Sequence, residues 1–171
     1  MMVAVDPGDM PGAPPRGPVG MDPELKVEDP RLGELLDYWR RKRGDREMPA
    51  RADIRPAELA RHLPNLVLID VQAQPLRLRY RLIGTAIVQA MQRDNTGAWY
   101  DELYGPELLE EIYAGFRWIL AHRAPLRTYG QAFYPDRRFY RYEVLNLPLS
   151  TDGQAIDMVL GELLFTLQSE G

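Results

Sequence analysis

The sequence predicts an α+β fold, a single five-stranded antiparallel sheet with helices over one face. Runs at 66–71, 76–83, 126–134, 138–147 and 154–167 are rich in β-branched, aromatic and leucine residues, and turn-forming residues separate the hairpin pairs. Segments with apolar residues at helical spacing lie before and between these runs, the longest at 106–121. A chain of 171 residues with 45% hydrophobic content can bury one real core. The order is two strands, several helices, then three strands. Such a split sheet closes if the last strand lies beside the first.

Taken in order, the chain divides into a tail over 1–28, flanking helices over 29–65 and a core over 66–168. Pro7, Pro11, Pro14, Pro15, Pro18 and Pro23 block regular structure in the tail, and its Pro, Gly, Asp and Ala composition predicts disorder. Asp29 can cap a helix with Pro30 at its first position, and Leu32, Leu35, Leu36 and Trp39 then fall on one face as far as about Arg43. The run Arg40-Arg41-Lys42-Arg43 invites a phosphate reading, but cations in a last turn complement the helix dipole. An irregular link over 48–53 and a short helix over 56–62 lead to the hairpin.

In the second hairpin strand Leu76, Leu78, Tyr80 and Leu82 alternate with Arg77, Arg79 and Arg81, so the guanidinium face must meet solvent or carboxylates. Gly84 ends that strand, and Thr85 can cap a short helix carrying Ile87, Val88 and Met91 inward. A turn over 93–97 precedes Trp99, Tyr100, Leu103 and Tyr104, read as one helical turn that tucks aromatics inside. Pro106 opens the long helix, whose stripe includes Leu109, Ile112, Phe116 and Ile119 and which must lie across the sheet. Pro135-Asp136-Arg137 and Ser150-Thr151-Asp152-Gly153 then turn the chain between the last three strands.

Bulk properties exclude whole classes of function. A net charge of -4 and a pI near 5.3 argue against nucleic acid as the main partner, because phosphate binding needs a concentrated positive field. With no cysteine there is no thiolate nucleophile, cysteine-ligated zinc, iron–sulfur cluster or disulfide. No apolar run reaches the roughly 20 residues needed to span a bilayer, so no membrane insertion is expected, and the start of the chain lacks a secretion-signal pattern. A cytoplasmic protein is the expectation.

Several local motifs are more telling together than singly: Leu36-Asp37-Tyr38-Trp39, Met48-Pro49-Ala50-Arg51-Ala52-Asp53-Ile54-Arg55-Pro56, Leu63-Pro64-Asn65-Leu66, Arg79-Tyr80-Arg81-Leu82-Ile83-Gly84-Thr85 and Asn146-Leu147-Pro148-Leu149-Ser150. With the order of elements, they resemble the PAS domains, and within them a bacterial subfamily of single-domain proteins known mainly from alphaproteobacteria. The resemblance covers about 32–167. It implies a PAS fold, a bacterial origin, and a role in sensing or in tuning a signalling partner such as a kinase or regulator. It implies no shared chemistry, because one fold hosts many functions.

The residues themselves narrow the choice. Cysteine-dependent flavin photocycles, and the covalent chromophore attachment known in other PAS proteins, have no cysteine to use here. His122, near the end of the long helix, is the one candidate for a haem iron, but a cation near a helix C-terminus is the commoner use. The carboxylates of Asp101, Glu102, Glu107, Glu110 and Glu111 sit where helix starts favour acids, so no metal site is read from them. No nucleophile–base pair or phosphate loop is present, so no catalytic residue is assigned and the chain is read as a non-enzyme.

Two candidate sites remain. Tyr80, Tyr129, Tyr140 and Tyr142 could line a small-ligand pocket on the sheet's inner face, each offering an apolar ring with a polar tip. On the strand over 138–147, however, two alternating sets compete for that face, the odd set with Arg141 and Glu143 and the even set with Tyr140 and Tyr142. The apolar stripe Leu32, Leu35, Leu36 and Trp39 must also be covered, either by the chain's own sheet or by a partner. The leading expectation is an adaptor that acts through protein–protein contact, with a homodimer as one form of it. A receptor with an occupied pocket is the alternative, and a small enzyme on a cone-shaped α+β scaffold comes last.

Overall fold

The computed structural model describes residues 20–133 and 139–167. Its elements are β1 (Gly20–Asp22), α1 (Pro30–Arg43), β2 (Leu66–Ala73), β3 (Leu76–Ile83), α2 (Thr85–Met91), α3 (Tyr100–Leu103), α4 (Pro106–His122), β4 (Leu126–Phe133), β5 (Phe139–Leu149) and β6 (Met158–Leu167). One sheet runs in the order β1-β4-β5-β6-β2-β3, each neighbouring pair antiparallel. The expected closure is present, since the final strand pairs with the first hairpin strand from Leu66↔Glu162 to Asp70↔Met158. Five of the strands are those read from the pattern, and β1 adds a sixth.

That added strand corrects the reading of 1–28 as a tail outside the fold, at least from Gly20 onward; residues 1–19 lie outside the described residues. Composition concealed a specific electrostatic anchor. Arg127 on β4 donates from Nε to Glu143 Oε2 on β5 at 2.7 Å and from a terminal nitrogen to Asp22 Oδ2 at 3.3 Å. Glu143 also accepts the backbone N–H of Glu28 at 2.9 Å and of Asp29 at 3.2 Å. Both Arg127 and Glu143 are buried. Charge-assisted bonds to backbone donors hold down a segment with little apolar surface of its own.

Asp29 caps α1 through its side chain, accepting from the Arg31 N–H, and Pro30 takes the first turn as expected. Two smaller expectations change. The helix expected over 56–62 is only a 3-10 turn, Pro56–Leu59, and a second 3-10 turn, Leu63–Asn65, follows it; Pro64 has no N–H with which to continue a helical ladder. The cap of α2 is Gly84 rather than Thr85, which is already helical. A Cβ at Gly84 would collide with the carbonyl oxygens of Leu63 and Pro64, so only glycine lets that turn lie against the strand end.

The alternation on β3 also breaks once. Leu68 pairs with Leu82 but Ile69 pairs with Tyr80, which leaves Arg81 as the extra residue of a β-bulge. Leu78 and Tyr80 are buried as expected, whereas Leu82, beyond the bulge, is 44% exposed. The arginines of β3 meet carboxylates, Arg77 with Asp101 at 2.6 Å and Arg79 with Asp70 at 2.9 Å. Arg77 also lies 4.0 Å from the Trp99 ring centre.

Helices cover both faces of the sheet. α4 and the shorter α2 and α3 lie over the inner face, while α1 packs on the outer face of β5. Trp39 Nε1 donates to the Pro148 carbonyl at 2.9 Å. Leu32, Leu35, Leu36 and Trp39 are buried in the same core as Leu145, Leu147 and Leu149. Period two divides β5, so Glu143, Leu145 and Leu147 face α1 while Tyr142, Val144 and Asn146 face α4.

Candidate functional site

Between the inner face of the sheet and α4 lies a cavity of about 130 Å³ that opens to solvent on one side. Its floor is built by alternation: Val67 and Ile69 from β2, Leu126 and Thr128 from β4, Val144 and Asn146 from β5. The roof is the stripe of α4, where Ile112, Phe116 and Ile119 recur at helical spacing. Gly115 brings that helix close to β4, since a Cβ there would stand 3.7 Å from Leu126 Cδ2 and 3.8 Å from Thr128 Cγ2. The walls are therefore mostly aliphatic and aromatic carbon, with few polar atoms among them.

Of the tyrosines read as pocket candidates, Tyr80 and Tyr142 do line this cavity. Tyr80 is tied into the wall, its hydroxyl 2.8 Å from that of Tyr104 and its ring 4.4 Å from that of Tyr100. Burial pushes the hydroxyl pKa of both Tyr80 and Tyr100 upward, so they stay neutral and act as an apolar wall with an internally satisfied edge.

Tyr142 is different. It is 7% exposed, and its hydroxyl has no hydrogen-bond partner among the described residues. Its ring lies across Gly130 of the neighbouring strand, where a Cβ would sit 2.5 Å from the hydroxyl oxygen, so glycine at 130 makes room for it. Burial raises the Tyr142 pKa, and the nearby carboxylate of Glu111 raises it further. Glu111 comes from the first half of α4, one turn before Gly115, and is exposed at the rim of the cavity. It has no ion-pair partner among the described residues, whereas its neighbour Glu110 pairs with Arg117.

A second polar pair lies deeper. Asn146 Nδ2 donates to the Leu126 carbonyl at 3.0 Å and to Thr128 Oγ1 at 3.2 Å. These bonds hold the amide with its donors against β4. Thr128, Asn146, Tyr100 and Glu111 were not singled out as pocket residues. Alternation on the two strands flags the first two once the inward face is known, and the aromatic turn at 99–104 flags Tyr100. Glu111 is hidden among the acids of a helix start.

The remaining candidates are corrected by their surroundings. Tyr129 is 41% exposed on the outer face, packed under Gly20 and with the Arg127 guanidinium 4.7 Å from its ring centre. It faces away because its neighbours Thr128 and Gly130 face in. Tyr140 pairs with Ala132 on the backbone ladder, and its side chain lies outside the described residues. Leu32, Leu35, Leu36 and Trp39, read as an interaction surface, are buried by the chain's own sheet and present nothing to a partner. His122 stacks on Trp118 at 4.2 Å with Nδ1 2.9 Å from the Trp118 carbonyl, exposed at the end of α4 and away from the cavity, so it does not fit the place of a haem ligand.

A second cavity, also about 130 Å³, lies on the outer face between Glu28, Arg127, Tyr129, Arg141 and Thr166. Its charges are already matched, Arg127 by Glu143 and Asp22 and Arg141 by Glu28 at 3.6 Å. Beneath α1, the ring of His62 places Nδ1 2.9 Å from both carboxylate oxygens of Glu162, with Glu34 3.8 Å from Nε2. This buried pair joins the 3-10 turns to β6.

Comparison with known proteins places the architecture. A family model described as PAS domain matches residues 27–164. No curated protein matches the chain. Among solved structures, that of an RNA-binding light-oxygen-voltage receptor is similar with a TM-score of 0.47 and 14% identity, over 88% of this chain and 39% of that one. The present chain thus spans well under half the length of that receptor.

Proposed function

This chain belongs to the PAS domain family, and from that membership we propose that it is a sensory module which holds a small, largely apolar molecule between β4, β5 and α4. PAS membership supports a sensory or signalling role. The observation that carries the finer reading is the largely apolar cavity beside Tyr142, whose hydroxyl has no hydrogen-bond partner among the described residues. An unfilled hydrogen-bonding group at the edge of an apolar space is what a ligand site offers. Cavities of roughly 150 Å³ take up benzene, so the size suits a single ring or a compact alkyl group.

The module is proposed to act without catalysis, in a bacterial cytoplasm, by passing its state to a signalling partner such as a kinase or regulator. No helix among the described residues is long and apolar enough to cross a membrane. The burial of α1 weighs against the alternative of a bare adaptor docking through that helix.

Mass spectrometry of the purified protein under native conditions tests the reading. Retention of a small molecule that is lost in Ile112→Trp, where the indole fills the cavity, supports it. A ligand-free protein that neither takes up small aromatic compounds nor gains stability from them, yet brings a kinase with it through purification, would favour the adaptor.

A further inference from the structure

The cavity's rim carries a bias in charge. Among the described residues that line it, the one group of full charge at neutral pH is the Glu111 carboxylate, and none of them is lysine, arginine or histidine. The Arg117 side chain, one turn and a half along α4, is engaged by Glu110. Glu111 and Tyr142 line the same cavity, and the Glu111 charge adds to burial in raising the hydroxyl pKa. An acceptor of full charge and a hydroxyl without a hydrogen-bond partner therefore line one mostly carbon-walled space.

We propose that the ligand of this cavity is a small protonated primary amine with a compact apolar body, its ammonium held between the Glu111 carboxylate and the Tyr142 hydroxyl oxygen. This assignment rests on the sensory reading above and names the chemistry of that same site. An ammonium supplies three donors and no acceptor. Glu111 and Tyr142 can each accept one, and water at the exposed rim takes the third. The ring or alkyl body then lies against Val67, Ile69, Ile112 and Phe116, where removal from water supplies the bulk of the affinity. A carboxylate ligand of the same shape would face Glu111 with like charge and no cation to offset it. A neutral alcohol would keep the apolar contacts but lose the ion pair.

Three probes of one shape separate these cases: benzylamine, benzyl alcohol and benzoate, titrated at pH 7 into the full chain by calorimetry, with ligand-observed NMR for weak binding. The expected order is benzylamine at least ten-fold tighter than benzyl alcohol, with benzoate weakest. Glu111 is exposed, so Glu111→Gln leaves the fold intact. It is expected to erase the amine's advantage while leaving benzyl alcohol unchanged, and Tyr142→Phe is expected to weaken benzylamine several-fold. Equal affinity for amine and alcohol, or an advantage that survives Glu111→Gln, overturns the amine assignment and leaves the sensory reading standing. If no probe binds at all, both fall together.

Discussion

The two faces of the sheet treat polar groups in opposite ways. On the outer face each charge taken inside has a counterpart within reach: Glu162 meets His62, and Arg127 meets Glu143 and Asp22. The inner face is mostly carbon, and there the Tyr142 hydroxyl and the Glu111 carboxylate have no such counterpart among the described residues. Glu111 is exposed at the rim, so water reaches its carboxylate. The outer face is thus where polar side chains hold the chain to itself, while the inner face presents mostly carbon.

The strongest way to break this contrast is to remove one half of an outer pair. His62→Ala strands the Glu162 carboxylate, which is 1% exposed, and should cost about 3 kcal/mol or more in urea unfolding. A loss well under 1 kcal/mol would show that the outer pair does not hold the fold. Apolar truncations on the two faces sharpen it further. Leu35→Ala, at a fully buried α1 position, should cost about 3 kcal/mol, whereas Ile112→Ala, which only widens a space already present, should cost roughly 1 to 2 kcal/mol. Similar losses at both sites would mean that the inner face is packed as tightly as the outer.

A pH experiment reads the outer face alone. Burial raises the Glu162 pKa above the ordinary 4.5, with His62 opposing the shift. The folded state therefore holds that proton more tightly than the unfolded chain does. Stability from this group is fully present below 4.5 and is lost as pH rises through the raised folded value. Urea midpoints measured upward from pH 4.5 should consequently fall more steeply in the wild type than in Glu162→Gln, and parallel slopes would refute the linkage. The smallest effect belongs to the inner face. Gly115→Ala adds a methyl at ordinary contact distance from Leu126 and Thr128 and gains helix propensity, so it should stabilise by up to about 1 kcal/mol. A destabilised variant would mean that α4 already touches β4 there.

Much of this arrangement was legible in residue order because it depends on period and punctuation. The hairpin, the long helix after Pro106, the inward aromatic turn with Tyr100, Leu103 and Tyr104, and the closure of the last strand on the first follow from spacing that survives tertiary packing. What escaped depends on single contacts. The segment from Gly20 to Asp29 reads as a tail because its order comes from one arginine and one glutamate more than a hundred positions away. The exposure of Leu82 depends on a one-residue bulge that no alternation count contains. The inward face of β5 could not be chosen from sequence, because both of its alternating sets contain leucine or valine beside charged or aromatic residues. Glu111 looks like a helix-start acid, and only the fold shows that it lines the cavity.

β5 belongs to both faces at once. Successive side chains of one extended backbone, Tyr142 then Glu143, Val144 then Leu145, reach alternately into the cavity and toward the N-terminal helix. The strand is a partition wall one peptide thick. A shift of the peptide planes at Tyr142 or Asn146 would therefore carry Glu143 and Leu145 with it, and through them the backbone of Glu28 and Asp29 clamped on the far side.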